Sequence, residues 1–147
     1  MSKDWIAVAD KSRCRIFEQS SRHGPLEEVL DLVSPTSGLK NRDINTDRHG
    51  RSFDSFGQGR HAMSTNVEPV EQEAIRFAKD VVEKLEAARQ RRRFDSLYVV
   101  AEPRFLGYLR QAYGRPLQSA IAAEISKEWT EQTSDEIRQR LREELFG

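Results

Sequence analysis

The sequence predicts an α/β fold, a single domain whose elements run β-β-β-α-β-α-β-α. Three observations carry that prediction. The runs Trp5–Ala9 and Leu97–Ala101 are apolar and uncharged, as strands buried on both faces are. From Val70 to Ala88, apolar residues recur at i, i+3, i+4 spacing, the period of an amphipathic helix. A chain of 147 residues is long enough for one core of this kind, and no internal repeat argues for a second domain.

Trp5–Ala9 forms the first strand, and Asp10-Lys11-Ser12 a tight turn, because short polar side chains bond the local backbone. Arg13–Glu18 alternates in part, with Cys14 and Ile16 on one face and Arg13 and Arg15 on the other, completing a hairpin. After a turn at Ser20–Pro25, Leu26–Val33 is a third strand with Leu26, Leu30 and Leu32 on one side. Pro69 suits a first helical position, and the helix that follows carries Phe77, Val81 and Leu85 on its stripe. It ends among Arg89, Arg91, Arg92 and Arg93, where the helix dipole favours cations. Leu97–Ala101 is a central strand. Pro103 opens a second helix with Phe105, Leu106 and Leu109, which Gly114 closes as a C-terminal cap. Leu117–Trp129 fits helix through Leu117, Ile121 and Ile125, or strand through Ile121, Ala123 and Ile125. Strand is the expectation, since the second helix needs another parallel strand beneath it. Thr133-Ser134-Asp135-Glu136 is a capping box for a last helix bearing Ile137, Leu141 and Leu145.

Lysine plus arginine number 24 and so do aspartate plus glutamate, which excludes a whole-molecule field drawing in nucleic acid or an anionic membrane. Charge is unevenly placed, however. Between Leu39 and Asn66 stand Lys40, Arg42, Arg48, Arg51 and Arg60 against Asp43, Asp47 and Asp54, while the run from Glu124 onward is net acidic. A lone Cys14 rules out an internal disulfide, and no apolar run approaches the roughly 18 residues that span a bilayer. A cytoplasmic protein without membrane insertion is expected.

The familiar catalytic patterns are missing. There is no G-x-S-x-G, no G-x-x-x-x-G-K-[ST] and no G-x-G-x-x-G. His23, His49 and His61 lack metal-ligand spacing, and no metal or cofactor is expected. Asp10 and Glu102 close two strands where a nuclease of ribonuclease H-like topology keeps metal-binding acids. Two acids are too few for such a site, and a turn role accounts for Asp10.

The long stretch from about 34 to 66 has no apolar periodicity, yet its composition is specific. Arg48, His49, Arg51, Gly57, Gln58, Gly59, Arg60 and His61 are the candidate RNA- or phosphate-binding residues. Guanidinium forks match phosphate oxygens, glycine lets backbone approach closely, and Phe53 and Phe56 offer rings for stacking or self-packing.

Across nearly the whole chain, Trp5–Phe17 (WIAVADKSRCRIF), Asp47–Phe53 (DRHGRSF), Gly59–His61 (GRH), Phe77–Ala78 and Ala101–Arg110 (AEPRFLGYLR) resemble the bacterial family of proteins required for attachment to host cells. That family is similar in turn to the middle domain of archaeal and eukaryotic peptide-chain release factors. The resemblance implies a mixed five-stranded sheet between helices, a three-layer α/β/α domain of ribonuclease H-like or release-factor middle-domain topology. It also implies that the 34–66 loop stands where those factors carry a Gly-Gly-Gln tip that promotes peptidyl-tRNA hydrolysis. This chain has Gly57-Gln58-Gly59 instead, so its glutamine is displaced. The expected function is therefore translation-associated binding of ribosome, rRNA or tRNA through the loop. Two alternatives stand beside it: attachment or protein interaction without RNA, and peptidyl-tRNA hydrolysis using Gln58.

Overall fold

A computed structural model describes residues 3–21, 24–35 and 69–145 of the chain. Its elements are β1 (Asp4–Ala9), β2 (Arg13–Gln19), β3 (Glu27–Val33), α1 (Pro69–Gln90), β4 (Ser96–Ala101), α2 (Pro103–Ala112), α3 (Arg115–Ala120), β5 (Ile121–Ser126) and α4 (Ser134–Leu145). The strands form one mixed sheet in the order β3-β2-β1-β4-β5. β1–β2 and β2–β3 are antiparallel, whereas β1–β4 and β4–β5 are parallel.

The two uncharged runs become neighbours at the centre, paired from Asp4↔Ser96 to Ala9↔Ala101. Alternation along β1 then feeds two cores. Trp5, Ala7 and Ala9 face α1 and α2, where Phe77, Val81, Leu85 and Phe105 are buried. Ile6 and Val8 face the other way, onto Trp129 and the α4 residues Ile137 and Leu141. Helices cover both faces, giving the expected three layers. Burial of Ile137 and Leu141, at 0% and 6% exposure, holds the largely polar α4 in place. Its start is the expected capping box: Glu136 N–H donates to Thr133 Oγ1 at 3.1 Å, and Thr133 N–H donates to the Glu136 carboxylate at 2.8 Å.

Three expectations are corrected. In β3, Ile16 pairs with Leu30 but Phe17 pairs with Glu28, so Val29 is an extra residue in a bulge. The bulge reverses the parity of the strand: Leu30 and Leu32 pack on the α1 side, and Leu26 joins the opposite core. The segment Leu117–Trp129 is both of its alternatives in succession. Pro116 lies in the first turn of the short helix α3, whose Leu117 is buried, and the strand begins only at Ile121. Gly114 is not a C-terminal cap: Tyr113 closes α2, and Gly114 (φ −89°, ψ 167°) is the N-cap of α3.

The end of α1 departs from the usual chemistry. Arg93 N–H donates to the Ala88 carbonyl at 3.0 Å and Arg92 N–H to the Arg89 carbonyl at 2.9 Å, a Schellman closure. The left-handed residue of that motif is ordinarily glycine. Here it is Arg92, with φ 58°, a conformation that costs a non-glycine residue roughly 1–2 kcal/mol.

Candidate nucleic-acid interface

β3 runs antiparallel to β2 and hence in the direction of β1, so it ends at the same edge of the sheet as β1, β4 and β5. The candidate loop leaves from this carboxyl edge and returns to it at Pro69. Ligands of open α/β sheets bind outside the carboxyl ends of the strands. The loop residues singled out from the sequence, Arg48, His49, Arg51, Gly57, Gln58, Gly59, Arg60 and His61, lie outside the described residues, as does His23. What the structure describes is the platform that carries them.

On the departing side, one carboxylate organises the edge. Asp10 Oδ1 accepts from Ser12 N–H (2.8 Å) and Arg13 N–H (2.9 Å), and Asp10 Oδ2 accepts from Thr130 Oγ1 (2.9 Å). Asp10 is thus the turn residue expected from the sequence, and it also reaches across to the segment before α4. The turn in turn holds the loop stem: Ser34 N–H donates to the Ser12 carbonyl at 2.9 Å, and Ser34 is 3% exposed. Beside it, Arg13 grips Asp31 with two bonds of 3.0 and 2.9 Å. That bond holds the Asp31 carboxyl below its ordinary range and raises the Arg13 guanidinium.

On the returning side, Glu71 in the first turn of α1 accepts a 2.8 Å hydrogen bond from the Tyr108 hydroxyl of α2. Partial burial, and then this bond, push the Tyr108 phenol upward. Phe105, one turn earlier, packs edge-on to Tyr108 and against Phe77. Glu102 closes the strand next to β1, and its carboxylate caps α2, accepting from Arg104 N–H (3.0 Å) and Phe105 N–H (3.3 Å). Both strand-end acids therefore serve the backbone around them. Among the described residues, no group of three or more His, Cys, Asp or Glu is placed to hold a metal ion.

Sequence reasoning missed the long-range ties. Arg15 donates to the Thr130 and Gln132 carbonyls at 3.1 and 2.6 Å, pairs with Glu28 and lies over the Phe17 ring, so it staples the α4 lead-in to the sheet. Its outward position was legible. A partner more than a hundred residues away was not. Arg91, Arg92 and Arg93 follow α1, whose 22 residues, about 33 Å of helix, run from the carboxyl edge to the opposite edge, where Asp95 N–H donates to the Lys3 carbonyl.

No helix among the described residues is long and apolar enough to cross a membrane. No curated protein matches the chain significantly. Two solved structures are similar to it at low identity. One is an archaeal translation termination factor, 11% identical, covering 97% of this chain and 38% of its own, with a TM-score of 0.49. The other is described only as an archaeal protein, 12% identical, covering 96% and 36%, with a TM-score of 0.46. The chain spans little more than a third of either, and likeness at this level says nothing of what it binds. A family model is decisive instead, since it matches residues 5–141. The chain belongs to the family described as "Protein required for attachment to host cells".

Proposed function

We propose that this chain is a translation-associated accessory protein that binds ribosome, rRNA or tRNA through the segment between β3 and α1. The observation that carries the reading is the platform: both stems of an Arg/Gly/His-rich loop are anchored at the carboxyl edge of the sheet. Ser34 is bonded to the β1–β2 turn on one side, and the first turn of α1 is bonded to α2 on the other. In this reading Arg48, Arg51 and Arg60 take phosphate oxygens, with His49 and His61 as further donors. Gly57, Gln58 and Gly59 allow close backbone approach. The described carboxylates at the base are spoken for by hydrogen bonds, so they oppose an incoming phosphate less than free acids would.

Sedimentation with ribosomes from lysate tests it. The wild-type chain co-migrates at low salt and dissociates as salt rises, and the variant R48A/R51A/R60A stays in the supernatant. A wild-type chain that never co-migrates at low salt overturns the proposal. The family description favours a second reading, attachment through protein contacts alone. That reading requires the chain outside the cell, and surface fractionation decides it.

A further inference from the structure

The amino edge of the sheet, where α1 ends, carries more positive charge than the fold pairs among the described residues. Arg13, Arg15, Arg89 and Arg110 each close on a carboxylate. Arg91 and Arg92 close on none among the described residues, and both are exposed. Arg93 lies over the Trp5 ring at 5.7 Å, which holds its guanidinium at the same edge. Lys3 adds a fourth cation, half-exposed, with its Nζ 3.8 Å from Glu18 Oε1. Its backbone is pinned there by Asp95, through Lys3 N–H to Asp95 Oδ2 (2.8 Å) and Asp95 N–H to the Lys3 carbonyl (2.8 Å).

The helix dipole accounts for cations in the last turn of α1, and Arg89 already satisfies it. It does not account for Arg92 at the left-handed position, where glycine costs nothing and a side chain is strained. Strain of this kind, on an exposed and uncompensated guanidinium, is an observation that asks for a ligand.

We propose that Lys3, Arg91, Arg92 and Arg93 form a second phosphate-contact surface, which takes the backbone of the same RNA at the amino edge of the sheet, about 20 Å from the carboxyl edge, the length of a six-residue strand. The partner class rests on the reading above; the surface does not. Guanidinium forks suit phosphate diesters. An anionic membrane is disfavoured, because the large exposed apolar residues of the described chain, Val33 and Val70, flank the loop at the other edge. Next to the patch, Trp5 and Phe94 are buried, so the described residues there offer no large apolar side chain to insert.

The test measures binding of the full chain to a fluorescent 20-nucleotide single-stranded RNA across a salt series. R91A/R92G removes two phosphate contacts, so the slope of log K against log salt flattens by about 1.4, roughly a 25-fold loss at 0.1 M salt. Arg92→Gly alone relieves the strain, so its melting temperature rises by roughly 2–4 °C while affinity falls. R48A/R51A/R60A, measured in parallel, separates the two surfaces. Loss in that variant with R91A/R92G unchanged overturns this proposal and leaves the loop reading standing; the converse overturns the loop reading alone. Binding of the wild type to phosphatidylserine vesicles but not to RNA overturns this proposal, as does an Arg92→Gly chain that binds RNA at wild-type strength.

Discussion

Replacing Asp10 by alanine should destabilise the protein by about 3 kcal/mol. Its carboxylate accepts three hydrogen bonds, from Ser12 N–H, Arg13 N–H and Thr130 Oγ1, at 2.8–2.9 Å. Hydrogen bonds to a charged group contribute about 1.5–3 kcal/mol each when they act alone. The site is only part-buried and the three share one acceptor, so the sum falls well short of three full contributions. The loss is compounded by what remains: Thr130 is 1% exposed, and its hydroxyl would be left without its carboxylate. In a domain of this size, about 3 kcal/mol corresponds to a fall in melting temperature of roughly 6–12 °C. Urea denaturation with an unchanged m-value measures the change directly. Asp10→Asn retains an acceptor for the turn and should cost about 1 kcal/mol. An Asp10→Ala chain within 0.5 kcal/mol of wild type would refute a structural role for this carboxylate. It would also reopen the nuclease-like reading of the strand-end acids.

Asp31 and Cys14 supply two further tests. Arg13 holds the Asp31 carboxyl below its ordinary value of 3.8, so the pair stabilises above that pH and its contribution is lost as pH falls through the lower folded value. Asp31→Asn should therefore lower stability at pH 7, and its difference from wild type should vanish as pH falls below about 4, as denaturation curves at successive pH values would show. Burial pushes the Cys14 thiol upward, with nearby Asp10 and Asp31 adding to the effect. It should resist iodoacetamide in the native protein and react on unfolding; mass spectrometry follows the adduct, and rapid native labelling would contradict the described packing.

Where the sequence was informative, a single physical rule governed the segment. Trp5–Ala9 and Leu97–Ala101 are uncharged because both faces of β1 and β4 are covered, and α1 shows its stripe because only one of its faces is. Prediction failed where two rules met. The extra residue Val29 breaks strand parity, which no alternation pattern reveals, and so Leu26 changed sides. Arg115–Ser126 carries helix chemistry at Pro116 and strand chemistry from Ile121, and Leu117 packs into the α1-side core. At the candidate site, the Asp10 turn was readable from local chemistry, whereas Glu102, read only as a strand-end acid, proved to be the N-cap of α2. The Arg15, Thr130 and Tyr108 ties join distant segments, so no window of sequence contains both partners.

RNA binding through the segment between β3 and α1 is the proposal on which the rest depends. Ultraviolet crosslinking in cells, followed by mapping of the crosslinked peptides, tests it most directly. The account predicts nucleotide adducts on peptides between residues 36 and 68, around Arg48–Phe53 and Phe56–His61, that vanish in R48A/R51A/R60A. A chain recovered free of RNA, or crosslinked only outside that segment, would contradict it.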